Sequence, residues 1–187
     1  TDGGSTWSTA APVSPPQSPG HHHQGCDVRV GPGGVVHVVW ANCTTNGQNS
    51  TEDSLGYARS TDGGGTWVFA SNHVADMNGI RTSNLVNGIR CNGFPRLDID
   101  KTGGPRNGWL YVVAAEKNFA PALDNSDVVL MRSTDNGATW TRTRVNQDPS
   151  GKLNYMPAVR VDDCGGLNVV YYDQRNVSAT QAEVYLS

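Results

Sequence analysis

The side chains able to do chemistry fall in a few short stretches. Tyr172, Asp173 and Arg175 lie together in Tyr171-Tyr172-Asp173-Gln174-Arg175-Asn176, at the end of an apolar run. Glu116 and Lys117 end another such run, and Arg81 and Arg90 stand in a long Asn- and Gly-rich segment between Met77 and Asn92. Carboxyl and phenol groups can move protons, and a guanidinium fork holds a carboxylate at two points. His21-His22-His23 adds imidazoles. Three consecutive histidines cannot all face one way in a strand, but two in a loop could converge on a metal. No CxxC or HExxH spacing accompanies them. The plainer reading is polar loop residues, with no metal and no cofactor.

The elements that must position these groups are marked by a repeat. Ser133-Thr134-Asp135-Asn136-Gly137-Ala138-Thr139-Trp140 recurs as Ser60-Thr61-Asp62-Gly63-Gly64-Gly65-Thr66-Trp67, and again, without its first residue, as Thr1-Asp2-Gly3-Gly4-Ser5-Thr6-Trp7. The Asp can accept backbone N–H bonds across a turn, the Gly two places on (Gly4, Gly64, Gly137) can take positive φ, and the Trp starts a strand and covers the corner. Upstream lie three hairpin-like pairs, Cys26–Val30 with Val35–Trp40, Pro95–Ile99 with Trp109–Ala115, and Pro157–Val161 with Leu167–Asp173, each joined by a Gly-rich turn. The second member of each pair is nearly continuous in apolar residues, as suits strands covered on both faces. The unit is therefore four antiparallel strands, repeated in tandem. That pattern predicts an all-β fold, a β-propeller of four-stranded antiparallel blades.

The boxes resemble the Asp-box, or bacterial neuraminidase repeat, of sialidases and their relatives. The expected organisation is one propeller segment over 1–187, with a D strand of one blade at 1–13, blades at 24–72 and 94–146, and the A-B-C strands of a further blade at 156–187. This amounts to about three blades, and the resemblance implies a ring of six. Ser187 followed by Thr1-Asp2-Gly3-Gly4-Ser5-Thr6-Trp7 would spell an unbroken box, so the chain is expected to be half of a longer protein, a fragment, or a protomer that completes a ring or fibre with other copies of itself.

Loops between the second and third strands, and the crossings between blades, share one face, the one on which sialidase-like enzymes hold their ligand. The resemblance implies a clamp of arginines for a carboxylate, an acid/base carboxyl, and a Tyr made nucleophilic by a Glu. The residues of this chain available for those roles are Asp173, Tyr172 and Glu116 as catalytic groups and Arg175, Arg90 and Lys117 as ligand-binding groups. The family's F/Y-R-I-P strand is missing; the nearest stretch, Phe94-Pro95-Arg96-Leu97, has Pro and Arg in the opposite order. Two functions follow: a binding or assembly module for glycans or for its own copies, or half of an exo-sialidase-type glycoside hydrolase.

Bulk properties suit a secreted or cell-surface β protein. The 187 residues carry 14 Lys and Arg against 17 Asp and Glu, a net charge of −3, with 22 Gly. No basic stripe points to nucleic acid, and no apolar run approaches the roughly 20 residues that cross a bilayer. Cys26 and Cys43 fall at the same open end of one predicted hairpin and are expected to form a disulfide. Cys43–Cys91 is the second choice, and Cys91–Cys164 would join opposite faces. Asn42-Cys43-Thr44, Asn49-Ser50-Thr51 and Asn176-Val177-Ser178 have the glycosylation spacing.

Overall fold

A computed structural model describes residues 2–44, 51–81, 88–123, 126–178 and 180–187. Eleven strands and one short 3-10 turn make up its regular structure: β1 (His22–Val30), β2 (Val36–Cys43), β3 (Ser54–Ser60), β4 (Phe69–Asp76), β5 (Arg96–Ile99), β6 (Leu110–Glu116), β7 (Asp127–Ser133), β8 (Thr141–Arg144), β9 (Asn154–Val161), β10 (Leu167–Asp173) and β11 (Glu183–Leu186). They form three antiparallel sheets, β1-β2-β3-β4, β5-β6-β7-β8 and β9-β10-β11. The fold is all-β, a partial β-propeller.

Apolar side chains from facing sheets fill the two gaps between blades. Val39, Leu55 and Tyr57 of the first sheet meet Leu97, Val112 and Met131 of the second. On the other side of the second sheet, Tyr111, Val113 and Val128 meet Val159, Val169 and Tyr171 of the third. Every residue of β6 is buried, because it is covered on both faces. β10 departs from the expectation of two covered faces. Val169, Tyr171 and Asp173 are buried, whereas Val170 and Tyr172 are 38% and 42% exposed. The second sheet covers one side of β10, and no described residue covers the other.

Carboxylates staple the inner strands across the blade joints. Leu97 N–H of β5 donates to Asp27 Oδ2 of β1 at 3.0 Å, and Val161 N–H of β9 donates to Asp98 Oδ2 of β5 at 2.8 Å. A charged acceptor strengthens such bonds, and both carboxylates are largely shielded from water.

The boxes close as corners. Asp62 accepts from Thr66 N–H at 2.8 Å, Thr66 Oγ1 at 2.7 Å and Ser60 Oγ at 2.7 Å, while Ser60 Oγ accepts from Gly64 N–H at 2.8 Å. Ser133, Asp135, Gly137 and Thr139 repeat the pattern. Gly4, Gly64 and Gly137 have φ of 87°, 97° and 85°. These donors hold Asp135 at about 2, below its ordinary value, with the Thr139 hydroxyl as the largest cause.

Three expectations need correction. Residues 7–13 form no strand, and Trp7 is 88% exposed. Pro12 removes a ladder donor there, and no sheet edge among the described residues pairs with the segment. The Cys26–Cys43 disulfide is not formed, since all four cysteines are free. The register sets Cys43 opposite His22 and carries Cys26 further along, into the bulge between Gln24 and Asp27. At roughly 3.3 Å per residue that offset exceeds the roughly 7 Å Cα limit for a bridge. Finally, β1 begins at His22, so His22 and His23 are strand residues rather than loop residues.

Candidate functional site

Starts of β1, β5 and β9 and ends of β2, β6 and β10 share one face, where the inter-strand loops and blade crossings also lie. The boxes and the turns after β1, β5 and β9 occupy the opposite face. Each expected site residue falls on or near the first face, but they do not form a single constellation.

Glu116, the last residue of β6, is fully buried. Its Oε2 pairs with Arg142 of β8 and accepts Asn78 N–H at 2.9 Å. Arg142 in turn lies over the Phe119 ring, 5.0 Å from its centroid. Burial pushes the Glu116 pKa up, and Arg142 and the Asn78 N–H pull it back. Lys117 is half-buried, its backbone N–H tied to Asn78 O at 2.7 Å, and Arg90 is exposed.

Asp173 belongs to a second, separate network. Arg175 donates from Nε to Asp173 Oδ2 at 2.7 Å, and its backbone N–H donates to Oδ1 at 2.6 Å. Its guanidinium stacks on Tyr185, 4.4 Å from the centroid, and approaches Asp148 at 3.9 Å. Asp148 also accepts from Asn146 at 2.6 Å and Asn154 at 2.9 Å, while Arg144 pairs with Asp127 at 2.5 Å. Asp127, Asp148 and Asp173 are all buried. Two arginines and three carboxylates thus lock the 145–153 crossing between the second and third sheets. Tyr172 shares none of these contacts; its ring stacks on Tyr155 at 5.6 Å, with one face open.

Sequence reasoning missed Glu52, and it named Arg81 and His22 without bringing them together or adding Gln24. Glu52 is fully buried and accepts Gly93 N–H at 3.0 Å and Arg81 N–H at 3.3 Å. Gly79 must be glycine, since a Cβ there would fall 2.0 Å from Glu52 Oε2. Arg81 Nη1 lies 2.9 Å from His22 Nε2. With the Gln24 amide turned to set its oxygen toward these donors, that oxygen lies 2.6 and 3.0 Å from the Arg81 terminal nitrogens and 2.8 Å from His22 Nε2. His22 and His23 alternate across β1, so His22 joins Arg81 while His23 packs against Trp40 with centroids 5.4 Å apart. Among the described residues no group of three His, Cys, Asp or Glu is set to hold a metal ion. The only sequence signal for this group was alternation within β1, which a triple-histidine run obscures. Of the sequons, Asn42 is buried in β2, Asn176 is exposed, and Asn49 lies outside the described residues.

No family model and no curated protein matches the sequence. Solved structures do. The chain is similar to the α-L-arabinofuranosidase Arb93A from Fusarium graminearum, with TM-score 0.59 and 17% identity over 98% of this chain and 50% of that one. It is similar to the Penicillium chrysogenum α-L-arabinanase, with TM-score 0.53 and 22% identity over 88% and 45%. A protein of unknown function from Dyadobacter fermentans gives 0.57 and 16% over 88% and 47%. The chain spans about half the length of each. At such identities the likeness establishes the fold, and the sialidase family is not singled out among propellers. No helix of the described residues is long and apolar enough to cross a membrane.

Proposed function

We propose that this chain is a carbohydrate-binding half of an extracellular propeller of six blades, holding its ligand on the face where β1, β5 and β9 begin. One observation carries this reading. The buried carboxylates of that face, Glu116 and Asp173 included, are committed to arginines or backbone N–H groups, so they serve as struts before they serve as acids. What is left toward solvent is suited to holding a sugar. Arg81, His22 and Gln24 form a polar cluster at the start of the inner strand. Likeness in fold to propellers solved with arabinobiose and an iminosugar supports a sugar as the ligand class.

A sialidase-type hydrolase completed by further blades is the second reading. Glu116 favours it: Oε1 is buried without a partner among the described residues and burial raises the pKa, two marks of a poised acid. Titration calorimetry with sialyllactose and with arabino-oligosaccharides, beside fluorogenic sialoside and arabinofuranoside assays, separates the two. Binding without turnover, weakened by Arg81→Ala, is the expected result. Turnover of either substrate by the full-length protein defeats the binding reading.

A further inference from the structure

The third sheet presents an apolar face that no described residue covers. Val170 and Tyr172 of β10 and Val184 and Leu186 of β11 share this side, and the last two are 66% and 68% exposed. The equivalent sides of the joints already made are closed by a neighbouring blade. By continuity with those joints, the occupant of this face is another blade.

Charge says which kind. The next-to-last residues of the three inner strands are Arg29, Asp98 and Arg160, and they line one pocket of about 600 Å³ near the strand ends. Around the axis the signs alternate. Arg29 Nε lies 3.8 Å from Asp98 Oδ1 across the first joint, and Asp98 staples β9 across the second. Arg160 is exposed, and its bond is to the adjacent Val159 carbonyl at 3.1 Å. The two stapling positions, held by Asp27 in β1 and Asp98 in β5, are Ala158 and Arg160 in β9. β9 therefore has no carboxylate to offer the next inner strand; it has a cation, Arg160, that makes no ion pair among the described residues.

We propose that the exposed face of the third sheet receives a blade whose inner strand carries Asp or Glu at the position of Asp98, and that a second copy of this chain is not that blade. The first sheet of a second copy would bring an apolar side of its own, with Val28 and Val30 each about half exposed. It would also set Arg29 against Arg160. Like charges at that point oppose closure of two copies into a ring, and the missing staple leaves an inner-strand N–H unmet.

Sedimentation equilibrium of the wild-type chain, Arg160→Asp and Arg160→Gln tests this, with circular dichroism to confirm that each is folded. Wild type is expected to remain a monomer. Arg160→Asp supplies the acid opposite Arg29 and should self-associate about tenfold more tightly or better, with the gain lost at high salt, and Arg160→Gln should fall between. A wild-type closed dimer would overturn the proposal and make a second copy the occupant. Folded Arg160→Asp and Arg160→Gln that associate no better than wild type would overturn it as well.

Discussion

Ser60–Trp67 and Ser133–Trp140 are the same corner in two surroundings. Their internal bonds agree to within a few tenths of an ångström. Yet Gly64 is exposed with nothing near a Cβ, whereas Gly137 is buried and a Cβ there would fall 2.1 Å from the Tyr57 ring. Tyr57 reaches from β3 of the first sheet into the box of the second. Its hydroxyl donates to Asn136 O at 3.0 Å, its ring meets Trp140 edge-on at 5.8 Å, and His37 Nδ1 lies 2.8 Å from the same oxygen. Trp140 also donates from Nε1 to Gly137 O at 3.0 Å. A box is therefore a self-closed turn by sequence and a blade-to-blade joint by circumstance.

Breaking the joint at its centre should cost most. Tyr57 is fully buried, so Tyr57→Ala is expected to destabilise by about 4 kcal/mol in urea melts, and Tyr57→Phe by about 1–2 kcal/mol for the lost hydroxyl bonds. A small effect of Tyr57→Ala would mean the joint contributes little. The glycines give the direct contrast. Gly137→Ala should cost about 3 kcal/mol, from positive φ plus the clash with Tyr57, against about 1 kcal/mol for Gly64→Ala from φ alone. Equal losses at the two positions would show that conformation, not the neighbour, is what matters.

pH probes the same joint through His37. Burial, and then the nearby Arg59, hold this imidazole down at about 4, below the ordinary 6.5. Since Tyr57 gives its proton to Asn136 O, His37 must donate from Nδ1. With the folded pKa depressed, the unfolded chain takes up the proton first. The contribution to stability is complete above about pH 6.5 and is lost as pH falls towards 4, by about 2–3 kcal/mol. Thermal melts of wild type and His37→Gln across that range should show the slope flattened in the variant; parallel slopes would remove His37 from the account. The smallest contrast lies in the indoles. Trp140→Ala should cost about 2 kcal/mol and Trp67→Ala less than about 1 kcal/mol, because only Trp140 packs against the buried core among the described residues.

The repeat made the fold legible. Asp, Gly and Thr at fixed offsets determine a turn through bonds that span a few residues, and apolar runs between Gly-rich turns determine strands, so both can be read from sequence alone. Residues 7–13 show the limit of that reading: a good box precedes them, but a strand exists only where a partner edge completes its ladder. The site was less legible for the same reason. Asp173 and Arg175 were recognisable as a pair because they are neighbours in sequence, while Asp127 and Arg144, from another sheet, and Asp148, from the crossing between the two, complete their network. Whether Glu116 meets Arg142 or solvent, whether Cys43 faces Cys26 or His22, and which box carries a tyrosine beneath its glycine were all decided by register and by blade-on-blade packing. Those contacts join residues far apart in the chain, and no local pattern encodes them.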